Sequence, residues 1–195
     1  MSTKILKKIL FLLLITSCKE NNTKQTNVAA ANNSSKKTEL SNENRQLLKF
    51  MIKIYTDGAC KGNPGVGGWG ALILKDEKNI ELFGGERETT NNRMELMAVI
   101  MALKEISSST ELTIYTDSTY VQKGISEWIK NWKMNNWRSS SKKPVKNKDL
   151  WIELDEASAS RKINWEWVKG HAGNEGNEKA DELANKGVIS MMDRI

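Results

Sequence analysis

Two stretches of this chain end in the same way. Ile54-Tyr55-Thr56-Asp57 and Ile114-Tyr115-Thr116-Asp117 each stop on an aspartate that leads into a small residue, Gly58 or Ser118. β-Branched and aromatic residues suit strands. Neighbouring strands lie ~4.8 Å apart. If these two pair in parallel and in register, Asp57 and Asp117 project side by side at the carboxyl ends, the edge where open α/β sheets place ligands. Two carboxylates that close repel each other, and a divalent cation relieves the repulsion. The alternative is a pair of turn or N-cap aspartates.

The surrounding pattern predicts a mixed α/β domain. Residues 51–59 alternate apolar and polar and read as a strand, and 60–68, with four glycines and Pro64, as a turn-rich loop. Strands at 69–74 and 80–83 around a turn at 75–79 complete an antiparallel meander. Residues 90–106 carry apolar side chains at 94, 97, 98, 101 and 102, the helical period, behind N-cap candidates in Thr89-Thr90-Asn91-Asn92. A strand at 111–116 follows, then two short helices at 118–125 and 127–133, a helix at 148–158, a strand at 162–168 and a last helix at 175–185. The expectation is five strands and about five helices.

Two more acids join the aspartate pair as candidates. Glu95 borders the apolar stripe of Met94, Met97, Ala98 and Met101, where a carboxylate is costly unless paired or metal-bound. Asp181 opens an amphipathic stretch continued by Leu183 and Ala184. One histidine and two cysteines exclude a multi-histidine centre and a four-cysteine zinc site. Any metal is therefore a hard cation on oxygen ligands, and the four acids would make a cage suited to Mg²⁺ or Mn²⁺.

The net charge of +6 does not belong to the domain. Residues 1–50 hold nine Lys/Arg and three Asp/Glu, which leaves 21 of each sign in 51–195. Within the domain, positions 123–148 concentrate eight cations, among them Lys133, Lys142, Lys143 and Lys146, against the single anion Glu127. Trp128, Trp132 and Trp137 lie in the same window. Trp128 and Trp132, four apart, share a helix face and either pack that helix or face a ligand.

Together, Tyr55-Thr56-Asp57-Gly58, Thr89-Thr90-Asn91-Asn92-Arg93-Met94-Glu95-Leu96, Tyr115-Thr116-Asp117-Ser118, Trp167-Val168-Lys169-Gly170-His171-Ala172-Gly173, Asn177 and Ala180-Asp181 resemble type 1 bacterial ribonuclease H over essentially all of 51–195. The resemblance implies a ribonuclease H-like fold, a five-stranded mixed sheet flanked by about five helices. It implies an endonuclease that cuts the RNA strand of RNA–DNA hybrids and leaves 3′-hydroxyl and 5′-phosphate ends. Asp57, Glu95, Asp117 and Asp181 would hold two Mg²⁺ ions, with Mn²⁺ as a substitute. His171 would be a mobile proton shuttle. Residues 123–148 would form a basic handle whose Lys133, Lys142, Lys143 and Lys146 meet phosphates, with an exposed tryptophan, Trp128, against the DNA-strand sugar. Cys60 and Asn63 would lie near the RNA backbone, Asn91 and Asn92 at the strand boundary, and Thr90 in a DNA-phosphate pocket. Glycines 58, 62, 65, 67 and 68 would let backbone approach the sugars. Two rival functions are a DNA-cutting nuclease on the same fold and a catalytically weak hybrid-binding module tethered to a membrane.

Residues 1–18 read as an export signal. A basic start at Lys4, Lys7 and Lys8 precedes the apolar run Ile9–Ile15 and then Ile15-Thr16-Ser17-Cys18, which resembles a bacterial lipobox with Cys18 as the lipidation candidate. Residues 19–50 read as a polar, disordered linker. Met51 offers a second natural start. The expectation is a cytoplasmic monomer without a protein partner, with a membrane-anchored lipoprotein as the alternative. A composition of 38% hydrophobic and 28% charged residues excludes both a wholly disordered chain and a polytopic membrane protein.

Overall fold

A computed structural model describes residues 52–193 except 76–77 and 108–110. The expected signal peptide and linker, with Cys18, lie outside the described residues. Five strands form one sheet in the order β3-β2-β1-β4-β5. They are β1 (Ile52–Gly62), β2 (Gly65–Lys75), β3 (Lys78–Thr89), β4 (Glu111–Thr116) and β5 (Lys162–Trp167). β1–β2 and β2–β3 are antiparallel, and β1–β4 and β4–β5 are parallel. The helices are α1 (Asn91–Glu105), α2 (Thr119–Lys123), α3 (Ile129–Met134), α4 (Lys148–Ser158) and α5 (Glu175–Met192).

The repeated strand ends lie where the sequence predicts. β1 and β4 are adjacent, parallel and matched, Ile54 with Ile114, Tyr55 with Tyr115 and Thr56 with Thr116. The Tyr55 and Tyr115 rings stack with centroids 4.7 Å apart and planes 14° apart. Cross-strand aromatic pairs of this kind help set register. One sheet face buries Ile52, Ile54, Ala71, Ile73, Leu112 and Ile114 against Leu96, Val99, Ile100 and Leu103 of α1 and Leu150, Trp151 and Leu154 of α4. Arg161 seals the end of α1, its Nη2 donating to the carbonyls of Leu103 and Ile106, each at 2.7 Å.

Four expectations are corrected. The glycine-rich stretch 60–68 is not a loop: β1 continues to Gly62 and β2 begins at Gly65, with only Asn63 and Pro64 between them. β3 likewise runs on past Phe83 to Thr89. The glycines serve packing. A Cβ on Gly68 or Gly70 would strike the backbone of α5, and one on Gly187 of α5 would strike Gly84. Helix and sheet meet backbone to backbone on the face opposite the main core.

That contact also explains why α5 runs to Met192 instead of stopping near Asn185. Gly187 costs the helix ~1 kcal/mol in propensity, and the close packing it permits outweighs the cost. Lastly, the two short helices expected at 118–133 are one run, α2 and α3 joined by a π-helical turn at Gly124–Trp128. Gly124 is buried with its backbone on the Trp151 indole, where any side chain would collide.

Candidate active site

β1, β4 and α1 converge on a cluster of acids. Asp57 lies on β1, the middle strand of the sheet. Asp117 is the single residue between the end of β4 and Ser118, the N-cap of α2, whose Oγ accepts from the Val121 amide at 3.3 Å. Both flanks of Asp117 are therefore fixed. Glu95 comes from the first turn and a half of α1, which approaches β1 closely because residue 58 is glycine: a Cβ there would strike the backbone of Met94 and Glu95. One carboxylate oxygen from each of Asp57, Glu95 and Asp117 lies within 4.8 Å of the other two. Asp57 is 8% exposed and Glu95 5%.

Burial and like charge dominate this cluster. Burial, then the Asp117 charge, push the Asp57 carboxyl up to about 8; only the Gly58 amide, donating to its Oδ1 at 2.7 Å, pulls the other way, while Asp181 adds to the rise. Glu95 is raised well above the ordinary carboxylate range by burial first and then by Asp57 and Asp117. Its Oε1 accepts from Asn91 Nδ2 at 3.3 Å, and its Oε2 is buried without a partner. An unsatisfied buried carboxylate oxygen is expensive. The Glu95 carboxylate lies among two others, a donor set of oxygens alone that suits a hard divalent cation.

Asp181 stands one step outside the trio. It sits on α5 near enough to Asp57 to raise that carboxyl, and Asn185 Nδ2 donates to its Oδ1 at 2.9 Å. His171 is exposed, in the left-handed backbone region (φ 51°), on the loop between β5 and α5. That loop is tethered at both ends. A Cβ on Gly170 would lie 2.5 Å from Asp117 Oδ2, and the Gly173 amide donates to Glu178 at 3.1 Å.

The remaining candidates divide. Asn63 is exposed at the β1–β2 hairpin, and Asn92 is exposed on the first turn of α1. Thr90 is the N-cap of α1, where its backbone carbonyl accepts from Arg93 and Met94 while its side chain makes no capping bond. Cys60 is half-buried, its thiol donating to the Thr89 carbonyl at 3.6 Å and pushed up in pKa by burial. Asn91 is turned toward Glu95. Glycines 58, 67 and 68 are taken by internal packing, against Glu95, against Thr89 and Met94, and against α5.

On the handle, Lys142, Lys143 and Lys146 are exposed. Lys133 is held by Asp155 of α4 at 2.7 Å. Trp128 is half-buried, its ring 6.1 Å from Tyr120 and 5.6 Å from Trp132, which in turn meets Trp151 at 5.4 Å. Both tryptophans of the helix face pack it, and Trp128 keeps only part of its ring for solvent.

Sequence reasoning named one further residue, Asn177, in the motif without giving it a role. Asn177, buried on α5, donates Nδ2 to Asp117 Oδ2 at 3.1 Å. Its spacing, four residues before Asp181 and so on the same helix face, was the available signal.

The family model "RNase H" matches residues 49–189. The chain is 62% identical to the ribonuclease H of Nitrosospira multiformis over 141 residues, 72% of this chain and 91% of that protein. It is 56% identical to the ribonuclease H of Francisella tularensis subsp. novicida over 144 residues, 74% and 95%. Among solved structures it is similar to LC9-RNase H1, a type 1 RNase H with the type 2 active-site motif, at 30% identity and a TM-score of 0.66, covering 72% of each chain. The structure of LC11-RNase H1 in complex with RNA/DNA hybrid shares the fold at 24% identity and a TM-score of 0.56, covering 72% of this chain and 99% of that one.

Proposed function

The chain belongs to the ribonuclease H family and hydrolyses the RNA strand of RNA–DNA hybrids; we propose that it does so at the Asp57–Glu95–Asp117 cluster, with Asp181 and His171 completing the site and leaving 3′-hydroxyl and 5′-phosphate ends. The observation that carries this assignment is the approach of three carboxylates within 4.8 Å, two of them buried and one with an orphaned oxygen. Side chains arranged that way destabilise the protein unless a cation joins them.

Asp57, Glu95, Asp117 and Asp181 would hold two Mg²⁺ ions, which Mn²⁺ can replace. When bound, such a pair supplies electrostatic stabilisation to the attacking water and the leaving oxygen of an in-line displacement. The protein's own groups do the rest. Asp57, at the centre, faces both neighbouring acids and is the natural shared ligand. Glu95, stationed by Asn91, can accept from a ribose 2′-hydroxyl, the group that separates RNA from DNA. His171, exposed and next to the Asp117 loop, can deliver a proton to the leaving 3′-oxygen. Lys142, Lys143 and Lys146 would meet backbone phosphates, so recognition follows duplex shape with little sequence preference.

The test compares end-labelled RNA–DNA hybrid, all-DNA duplex and all-RNA duplex of one sequence in Mg²⁺. Cleavage confined to the RNA of the hybrid, with a 5′-phosphate on the downstream fragment, is the expected result. Efficient cutting of all-DNA would point to the rival nuclease. Hybrid binding without cleavage in Mg²⁺ or Mn²⁺ would point to a binding module.

For cellular placement we propose a cytoplasmic monomer whose domain starts at Met51. The lipobox-like run ending in Cys18 favours a membrane anchor instead. Intact mass of the protein from membrane and soluble fractions of its native cell decides between them.

A further inference from the structure

Asp117 receives more support than its neighbours, and one of its supports is a side chain in an unusual position. The β4–β5 ladder ends with Thr116 opposite Trp167, where the Val168 amide donates to the Thr116 carbonyl at 3.0 Å. The first carbonyl after β4 is that of Asp117. Successive carbonyls of a strand point to opposite sides, so the β4–β5 ladder offers this one no backbone donor. The Trp167 indole fills the gap, Nε1 donating to the Asp117 carbonyl at 3.0 Å. A side chain of β5 thus holds the peptide of the residue whose carboxylate enters the acid cluster. The indole is 47% exposed, so burial is a weak reason for a tryptophan there. Phenylalanine would offer a similar ring without the donor.

We propose that Trp167 is a positioning residue for the metal site. Its N–H fixes the peptide after β4. With that peptide held, the Asp117 carboxylate accepts from Asn177 Nδ2 in the space that the missing side chain of Gly170 leaves open, and these neighbours favour one rotamer. Losing the donor frees the Asp117 backbone to rotate and leaves the carboxylate to find its ligand geometry on each binding event. The inference rests on the proposed metal role of Asp117. It predicts weaker metal binding by protein alone, with the hold on the hybrid unchanged.

Four readouts on the full chain test it. In the parent, the Trp167 indole N–H should exchange with D₂O at least tenfold more slowly than a free indole, despite its exposure. In Trp167→Phe, the Kd for Mn²⁺ measured without substrate should rise three- to tenfold, and the Mg²⁺ midpoint of cleavage should rise by the same factor. KM for hybrid at saturating Mg²⁺ should stay within twofold. Trp167→His, which keeps a ring donor, should recover part of the loss. An Mn²⁺ Kd unchanged within twofold overturns the proposal. A raised KM with the metal midpoint unmoved also overturns it, because Trp167 is then a substrate contact. Fast indole exchange overturns it on the parent alone, whether or not the variants fold. Absence of hybrid cleavage by the parent would strike the proposed function and leave the exchange and Mn²⁺ readouts standing.

Discussion

The acid cluster and the basic handle solve opposite problems. Asp57, Glu95 and Asp117 are drawn from three elements into a space where burial and mutual repulsion act against their charges. Lys142, Lys143 and Lys146 stand in water on a stretch held by its backbone, Ser139 bonding the Lys143 carbonyl at 2.9 Å and Tyr120 the Lys146 carbonyl at 3.3 Å. The cluster stores unfavourable electrostatics on a rigid frame, as a site that must capture a cation should. The handle stores nothing, since exposed cations cost little to hold, and its contribution is screened by salt. On the proposed assignment, chemistry at the acids and grip at the handle are separable, and substitutions should separate them.

The sharpest break is Asp57→Asn. Cleavage should fall by ~10³-fold or more, while the Kd for hybrid in Ca²⁺ stays within about threefold. A residual activity within tenfold of the parent would remove Asp57 from the site. His171→Ala should be milder, a ~10²-fold loss in single-turnover rate at saturating Mg²⁺, with no change in the Mg²⁺ midpoint; a shifted midpoint would make His171 a structural or metal-linked group instead.

On the other side of the comparison, replacing Lys142, Lys143 and Lys146 together by alanine should weaken hybrid binding ~10–100-fold near 0.15 M salt and lower the slope of log K against log salt by ~2–3. Single-turnover cleavage of bound hybrid should hold within about threefold of the parent. Lys133→Ala alone should do less than any of these to binding, because its ammonium is already engaged by Asp155.

The smallest effect is on stability and carries a sign. The folded Asp57 carboxyl is raised to about 8, against ~4 in an unfolded chain. Between those values the folded state holds more protons, so the metal-free protein loses stability as pH rises through that window. Asp57→Asn removes the loss. In EDTA its melting temperature should match the parent's near pH 5 and exceed it near pH 8–9, by an amount on the order of 2 kcal/mol in free energy. Equal melting temperatures at pH 9 would mean that the cluster is not electrostatically loaded.

Much of this was legible because one motif is written twice. The repeat of Ile-Tyr-Thr-Asp carries identity, strand preference and register together, so the β1–β4 pairing and the Asp57–Asp117 neighbourhood could be read directly. Glu95 was legible for a different reason, a carboxylate at the border of an apolar helix stripe. The glycines were not. Glycine marks a turn, a ligand approach or a backbone-to-backbone crossing alike, and only the passage of α5 over Gly68 and Gly70 tells which applies. Without side chains at those positions the alternation that identifies a strand also vanishes, so β1, β2 and β3 all extend past their expected ends. Lys133 and Asp155 lie 22 residues apart, and Trp167 and Asp117 lie 50 apart. No local pattern reports pairings at that range. The tryptophans of the handle failed differently: a shared helix face was predicted, and which partner it faces depends on Trp151, in a later helix.

The most direct test of the central claim is to locate Mn²⁺ by anomalous scattering in crystals of the protein soaked at neutral pH, with Asp57→Asn as the control. The account predicts a peak ~2.0–2.3 Å from carboxylate oxygens of Asp57 and at least one of Glu95 and Asp117, absent or much weakened in the variant. A peak elsewhere, or one that survives unchanged in Asp57→Asn, would contradict it.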